Sequence, residues 1–233
     1  MGPIILIAVL LHALSSCWQL RELSKGRMCQ QRTEISLLVR TAICSKEFII
    51  LPAVVLALLF YSFSSSAALW LTIESLRATW AEIVGLVFIV LSIPLKVRAY
   101  AALGMNWSAK PTIYKDHTLI TEGPYGWVRH PVYTSNMIMI LGVFMGTSSV
   151  TLLMLGVCYL ATDVVRANEE ERKLTFKFDN GYVQYAETVG KFVPFEVTLT
   201  FVGLAVFCPI VRIVGDVLFG LMWLVQETYS LLG

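Results

Sequence analysis

Five apolar stretches, near residues 3–20, 48–72, 80–97, 133–165 and 197–231, alternate along the chain with shorter polar segments. A helix that crosses a bilayer needs about 20 mainly apolar residues, so each of the first three stretches predicts one crossing. The last two are too long for one crossing each. Within 133–165, Gly142, Gly146 and the polar run Thr147-Ser148-Ser149 lie near the middle. Such residues weaken a helix and start turns, so the block predicts a hairpin of two tightly paired helices. The block 197–231 carries Pro209, Arg212 and Asp216 near its centre, which leaves open a second hairpin or one span followed by a surface helix. Together the stretches predict an all-α integral membrane protein with about six or seven transmembrane helices.

Composition removes the soluble alternative. The 233 residues are 57% apolar and 15% charged, with a mean hydropathy of +0.71, whereas a soluble domain carries roughly a quarter charged residues. A net charge of +2, with Lys and Arg spread through the polar segments, offers no basic face for nucleic acid. Those cations instead report sidedness, because Lys and Arg in short loops stay cytoplasmic. Residues 21–46 hold six, 96–130 five and 166–191 five, which is 16 of the 18. The loop after the second stretch holds Arg77 alone. This pattern predicts a non-cytoplasmic N-terminus and puts the segments around 125 and 170 on one cytosolic face. Residues 1–11 lack a basic n-region and a small-residue cleavage site, so they read as a retained first span. Five cysteines form no C-x-x-C pair and indicate neither a disulfide framework nor a metal site. No internal repeat appears, and the expected organisation is one membrane domain: spans over 3–97, a catalytic core over 98–195 and an apolar extension over 196–233.

Two polar clusters interrupt the oily pattern. The first is His117-Thr-Leu-Ile-Thr-Glu-Gly-Pro-Tyr-Gly-Trp-Val-Arg-His-Pro-Val-Tyr133, and the second is Arg166-Ala-Asn-Glu-Glu-Glu-Arg-Lys-Leu174. They face each other only if the apolar block between them doubles back. Pro131 suits the first turn of a helix, since it lacks the amide that would be unsatisfied there, and a helix start at this point would favour an anionic group. Tyr125 and Tyr133 offer flat faces for an aromatic base or a cation, while Trp107 and Trp127 read as interfacial anchors. Arg166 and Glu170 are four apart and share a helical face. Arg166 has the planar fork that grips a carboxylate through two parallel bonds. Glu169 and Glu171 point elsewhere on such a helix and are expected to be solvated, while Arg172 and Lys173 read as members of surface ion pairs worth little. Arg212 and Asp216 read as a structural pair, and His12, alone in the first span, as packed against a neighbouring helix with no assigned role.

Gly-Pro-Tyr-Gly-Trp-Val-Arg-His-Pro-Val-Tyr133, then Arg166-x-x-x-Glu-Glu-x-x-Leu174, Phe178-x-x-x-Tyr182-x-x-Tyr185 and Val193-Pro194 resemble the isoprenylcysteine carboxyl methyltransferase family over about residues 95–195. Phosphatidylethanolamine methyltransferases and sterol reductases carry versions of the first motif, but the doubled glutamate favours methyl transfer. The resemblance implies S-adenosyl-L-methionine as cofactor, contacted by His117, Thr118, Leu119, Ile120, Tyr125, His130, Pro131, Val132, Tyr133 and Glu170. No G-x-G-x-x-G follows a strand, in keeping with a cofactor held among helix ends. Lys110 occupies a further position that the family can use. The resemblance also implies that Arg166 and Glu170 are catalytic and that Arg166 orients the substrate carboxylate. The substrate would be the C-terminal prenylcysteine of proteins, methylated at a pocket facing the cytosol, in the endoplasmic reticulum membrane. A carboxylate nucleophile has an ordinary pKa of about 3.5 and needs no base, so His130 is expected to hydrogen-bond. The alternatives are a relative that methylates another small lipid, amine or phenolic acid, a membrane reductase using NADPH, and a non-catalytic receptor for prenylated chains. The residues after Pro194 and those before about 95 depart from the family pattern, as does Asn180-Gly181 after Phe178.

Overall fold

The computed structural model describes residues 2–24, 40–42, 46–63, 79–107 and 117–193. Six helices account for most of them: α1 (Gly2–Ser24), α2 (Leu51–Phe63) entered through a π-helical turn at Lys46–Ile50, α3 (Thr79–Leu103), α4 (Pro131–Thr147), α5 (Val150–Phe178) and the short α6 (Asn180–Thr188). Among the described residues there is no strand, only a parallel bridge between Val128 and Gly190. Among the described residues two helices, α3 with 25 residues and α5 with 29, are long and apolar enough to cross a membrane. At 1.5 Å per residue both exceed the roughly 30 Å hydrocarbon core. Their outer faces agree with that: Ile83, Val87, Val90 and Leu91 on α3 and Met154 on α5 are exposed. A helix apolar on its outer as well as its inner face is built for lipid. Pro209, Arg212, Asp216 and the block 197–231, like Lys110 and Pro194, lie outside the described residues.

The predicted hairpin is present, with its turn at Ser148–Ser149. Ser148 adopts left-handed backbone (φ 51°) and its amide donates to Phe144 O at 2.7 Å. Ser149 caps α5 by accepting from the Leu152 amide at 3.3 Å. Gly142 and Gly146, expected to weaken the helix ahead of the turn, stay helical and serve packing between helices. A Cβ on Gly85 of α3 would lie 2.5 Å from both Gly142 O and Gly146 N. Backbone therefore touches backbone, and α4 packs most extensively on α3 rather than on its hairpin partner α5. Small residues drive this contact because lipid gives two helices no hydrophobic reason to associate, whereas close approach gains dispersion energy.

The interior has an apolar and a polar part. Ile5, Leu6, Val9, Leu58, Ile89, Val143 and Leu152 join five helices in one apolar cluster. Beside it runs a chain of buried polar groups. Lys96 Nζ donates to His12 Nε2 at 2.9 Å and to Asn136 Oδ1 at 3.1 Å. Asn136 Nδ2 donates to Asp163 Oδ2 at 2.8 Å, and Asp163 Oδ1 is ion-paired with Lys46. His12 Nδ1 completes the chain with Ser92 Oγ at 2.8 Å. Two expectations change here: Lys46 and Lys96, counted among the loop cations, are buried between helices, and His12 is a member of a network. Buried charge persists in such surroundings only when partnered.

Candidate active site

The hairpin brings the two polar clusters together at one end of the helices. α4 begins at Pro131, as the ring's fixed φ and missing donor favour. Ahead of it, Gly123–Gly126 forms a 3₁₀ turn in which Gly123 takes φ +60° and Pro124 follows. This turn buries Tyr125 and leaves Trp127 exposed at 71%, as an interfacial anchor requires. The segment after α6 then closes over the motif. Arg129 and His130 amides donate to Gly190 O and Lys191 O at 2.9 and 3.1 Å. Thr134 Oγ1 donates to Phe192 O at 2.7 Å, and the Tyr185 hydroxyl donates to Tyr125 O at 2.6 Å.

At the centre, the Tyr133 hydroxyl donates to Glu170 Oε1 at 2.8 Å. His130 stacks on Tyr133, with ring centroids 5.5 Å apart and 21° between planes. Its Nδ1 lies 3.6 Å from Glu170 Oε2, and its Nε2 is 3.1 Å from Glu171 Oε1. A proton on Nε2 satisfies that second contact, so His130 hydrogen-bonds as expected. Arg166 lies one turn before Glu170 on α5, with Ala167 beside it fully buried against Tyr133 and Phe192. Val132, also named from the sequence, packs on the same cluster.

The stretch 117–120 sits further out. Thr118 exchanges two hydrogen bonds with the Asn106 side chain, at 3.0 and 2.9 Å. The His117 ring lies 6.2 Å from Phe178, two turns beyond Glu170 on α5. Leu119 and Ile120 are half-buried between these contacts and the 3₁₀ turn. Of the residues singled out from the sequence, His130, Pro131, Val132, Tyr133, Arg166 and Glu170 thus gather at the open end of the hairpin, away from its turn. Tyr125 borders them, and His117 to Ile120 form an outer edge.

The flanking glutamates correct the expectation of solvated side chains. Glu169 is buried and paired with Arg172 at 2.9 Å and Lys173 at 3.2 Å. Glu171 is half-buried and meets Arg129 at 2.9 Å and Lys191 at 2.8 Å. Arg129 also donates to Ala186 O and Val189 O at 2.6 and 2.8 Å. Arg129, Glu171 and Lys191 therefore staple the segment after α6 to the site, a role the sequence reading missed. No local spacing signals it, because Arg129 and Lys191 lie 42 and 20 positions from Glu171.

Burial shapes the acid–base character of the edge. The Tyr125 phenol is pushed well above its ordinary value by burial, with Glu170, Tyr100 and Tyr185 adding to the effect. Tyr185 is pushed up to about 12 by burial, against the opposing pull of Arg129. Both remain neutral hydroxyls. Burial and then the nearby Lys177 lower His117 to about 4, so its ring is uncharged at neutral pH. The site thus combines one carboxylate held by a phenol, a buried guanidinium, stacked aromatic faces and neutral edge groups. That donor set suits a ligand bearing both a cationic centre and an aromatic ring, with a second, anionic ligand beside the guanidinium.

A helical membrane protein with a cluster of buried polar and aromatic side chains at one end of its helices is the class these features define. Residues 83–176 match the Isoprenylcysteine carboxyl methyltransferase (ICMT) family, a stretch that contains both polar clusters and agrees with the family resemblance read from their motifs. The human Protein-S-isoprenylcysteine O-methyltransferase is 31% identical over 135 residues, which are 52% of this chain and 44% of that protein. The Xenopus laevis protein of the same name is 28% identical over 128 residues, 51% of this chain and 42% of the relative. The cobalt-zinc-cadmium resistance protein CzcN of Cupriavidus metallidurans is 34% identical over 101 residues, 40% of this chain and 44% of that protein. The chain spans somewhat less than half the length of these curated relatives.

Proposed function

We propose that the protein is a polytopic membrane methyltransferase that esterifies the C-terminal carboxylate of a prenylated cysteine, using S-adenosyl-L-methionine. The observation that carries this reading is the Tyr133–Glu170 hydrogen bond with Arg166 one turn deeper, which unites the two family motifs in one pocket. The cofactor fits the donor set: Glu170 suits its ammonium, the stacked His130 and Tyr133 with Tyr125 suit its ring and sulfonium, and 117–120 bounds the outer side. When bound, it supplies an electrophilic methyl group, and the products are a methyl ester and S-adenosylhomocysteine.

The chain's own part is positioning. Arg166 would grip the acceptor carboxylate through its planar fork, and the acceptor, an anion with an ordinary pKa of about 3.5, would need no proton removed. Holding reacting groups in attack geometry can lower a barrier by about 7–11 kcal/mol. Closure of the segment 186–192 over the motif keeps the pocket dry, which strengthens attraction between unlike charges. The pocket would face the cytosol of an endoplasmic reticulum membrane, reached from lipid by the prenyl tail. The single domain would cross the bilayer about six or seven times, as the hydropathy pattern predicts. Similarity to CzcN, whose name refers to metal resistance, favours one second reading: the same core methylating another small lipid, amine or phenolic acid.

Purified protein supplied with radiolabelled cofactor tests both readings. A farnesylcysteine analogue should be labelled in base-labile ester form, and R166A and E170A should each lower turnover by about a hundredfold or more. Wild-type turnover in both variants would remove the site assignment. Labelling of a phospholipid or phenolic acid in place of the prenylcysteine would select the second reading.

A further inference from the structure

Glu171 belongs to the staple that closes the segment after α6 over the site, and one of its contacts reaches further, into the site itself. Its Oε2 accepts from Lys191 Nζ at 2.8 Å. Its Oε1 accepts from Arg129 Nε at 2.9 Å and meets His130 Nε2 at 3.1 Å. A cation thus holds each carboxylate oxygen, and the fixed carboxylate lies against one edge of the His130 ring. The opposite edge faces Glu170. There the Tyr133 hydroxyl takes Oε1 at 2.8 Å, and Oε2 stands 3.6 Å from His130 Nδ1. The ring is buried, and its plane is set by stacking on Tyr133 and by a tilted contact with Phe192.

These two distances assign the proton of the neutral ring. A bare ring nitrogen and a carboxylate oxygen both present lone pairs, so an approach to 3.1 Å requires a hydrogen between them. A separation of 3.6 Å is too long for a hydrogen bond. The proton therefore sits on Nε2, directed at Glu171, and the bare Nδ1 turns toward Glu170. Which nitrogen of a histidine is free to act is set in this way by the bond that the other one makes. Nδ1 and Glu170 Oε2 are then two acceptors that converge on one place. An ammonium, with three donors and no acceptor, is the group that satisfies both. With the proton on Nδ1 instead, the ring would offer a donor there and oppose the same ligand.

We propose that Glu171 is a positioning residue for the cofactor's ammonium: by accepting the Nε2 proton, it holds His130 in the tautomer whose Nδ1 receives that group together with Glu170. This rests on the reading of the site as one for S-adenosyl-L-methionine. Glu171 touches no ligand and acts through His130. Its loss removes the selection for an ammonium and leaves the hold on the rest of the cofactor.

The test uses the full chain purified in detergent, with Kd measured for S-adenosylhomocysteine and for the analogue that lacks its amino group. A hydrogen bond to a charged group is worth about tenfold or more in affinity, so the parent is expected to prefer S-adenosylhomocysteine by at least that factor. E171M is expected to lose most of this preference by binding S-adenosylhomocysteine more weakly, while the Kd of the analogue stays near the parent value. In H130A, which removes the preference by itself, adding E171M is expected to change it no further. Equal weakening of both compounds in E171M overturns the inference, because it marks a purely structural staple, and so does an undiminished preference. A parent chain that binds both compounds equally well overturns the inference and leaves the cofactor reading standing. A parent that binds neither overturns both. If E171M does not fold, the nitrogen NMR spectrum of the histidine-labelled parent at mildly alkaline pH decides. The chain has three histidines, and H130A identifies the His130 signals by their loss. A bare Nδ1 beside a protonated Nε2, in a parent that prefers S-adenosylhomocysteine, upholds the proposal, and a protonated Nδ1 overturns it.

Discussion

Glu169, Glu170 and Glu171 follow one another on α5 and meet three different surroundings, because each residue turns the helix by about 100°. Glu169 turns inward to Arg172 and Lys173, Glu170 meets Tyr133, and Glu171 meets Arg129 and Lys191. Only the pairing of Glu169 lies within local helical spacing, since Arg172 and Lys173 are three and four residues away, whereas Tyr133 meets Glu170 from 37 positions away. The partners of Glu171 lie 42 and 20 positions away in sequence and reach it only after the chain folds back. His117 yields a prediction at this scale. Its folded pKa of about 4 lies below the ordinary 6.5. The unfolded chain therefore takes up a proton first as pH falls, and stability present above pH 6.5 is lost between about 6.5 and 4. Replacing His117 with asparagine should flatten the fall of the thermal midpoint across that window, as measured by scanning fluorimetry in detergent. An unchanged slope would show that another group carries the acid sensitivity.

At the scale of elements, the contact of α3 with α4 is the joint on which the site's position depends. Gly85 lies against Gly142 and Gly146 with no room for a side chain: an added Cβ would meet backbone atoms, which cannot rotate away. Overpacking a well-fitted contact costs about 1–3 kcal/mol, so Gly85→Val is expected to destabilise the protein by at least that much, read as a lowered thermal midpoint in detergent. Gly181, whose added Cβ would meet nothing within 4 Å, provides the control: Gly181→Ala should leave the midpoint near the parent value. The same joint explains what the sequence did and did not reveal. Helix positions followed from runs of apolar residues, and the hairpin from the polar run at 147–149. Glycine, however, both breaks helices and lets helices touch, and a single chain of letters does not say which. Gly142 and Gly146 belong to the second case because Gly85, about 60 positions earlier, supplies the facing surface.

At the scale of the whole molecule, the polar chain from His12 to Lys46 and the site above it require a defined arrangement across the bilayer. α3 starts at Thr79 and leads, through the turn at Gly104–Asn106, to the Asn106–Thr118 contact at the edge of the site. Trp80 therefore marks the end remote from the site, whereas Glu122 and Phe176 mark the site end. The cations along the chain predict which of these ends is cytosolic, although two of those counted, Lys46 and Lys96, turn inward to satisfy Asp163, Asn136 and His12. The remaining loop cations still predict the same orientation, because the rule depends on charges near the ends of spans and not on any single residue. Trp80, Glu122 and Phe176 are all exposed, Phe176 at 93%. Cysteines placed singly at these positions in a cysteine-free chain should then react differently with an impermeant maleimide in sealed vesicles. Residues 122 and 176 should label together from the cytosolic side, and residue 80 only from the opposite side or after permeabilisation. α3 has 25 residues, and its length of roughly 37 Å at 1.5 Å per residue carries the two ends to opposite surfaces of a core about 30 Å thick. Labelling of residue 80 from the same side as the other two would mean that α3 lies along the membrane. The site would then lack the transmembrane wall against which α4 and its hairpin are packed.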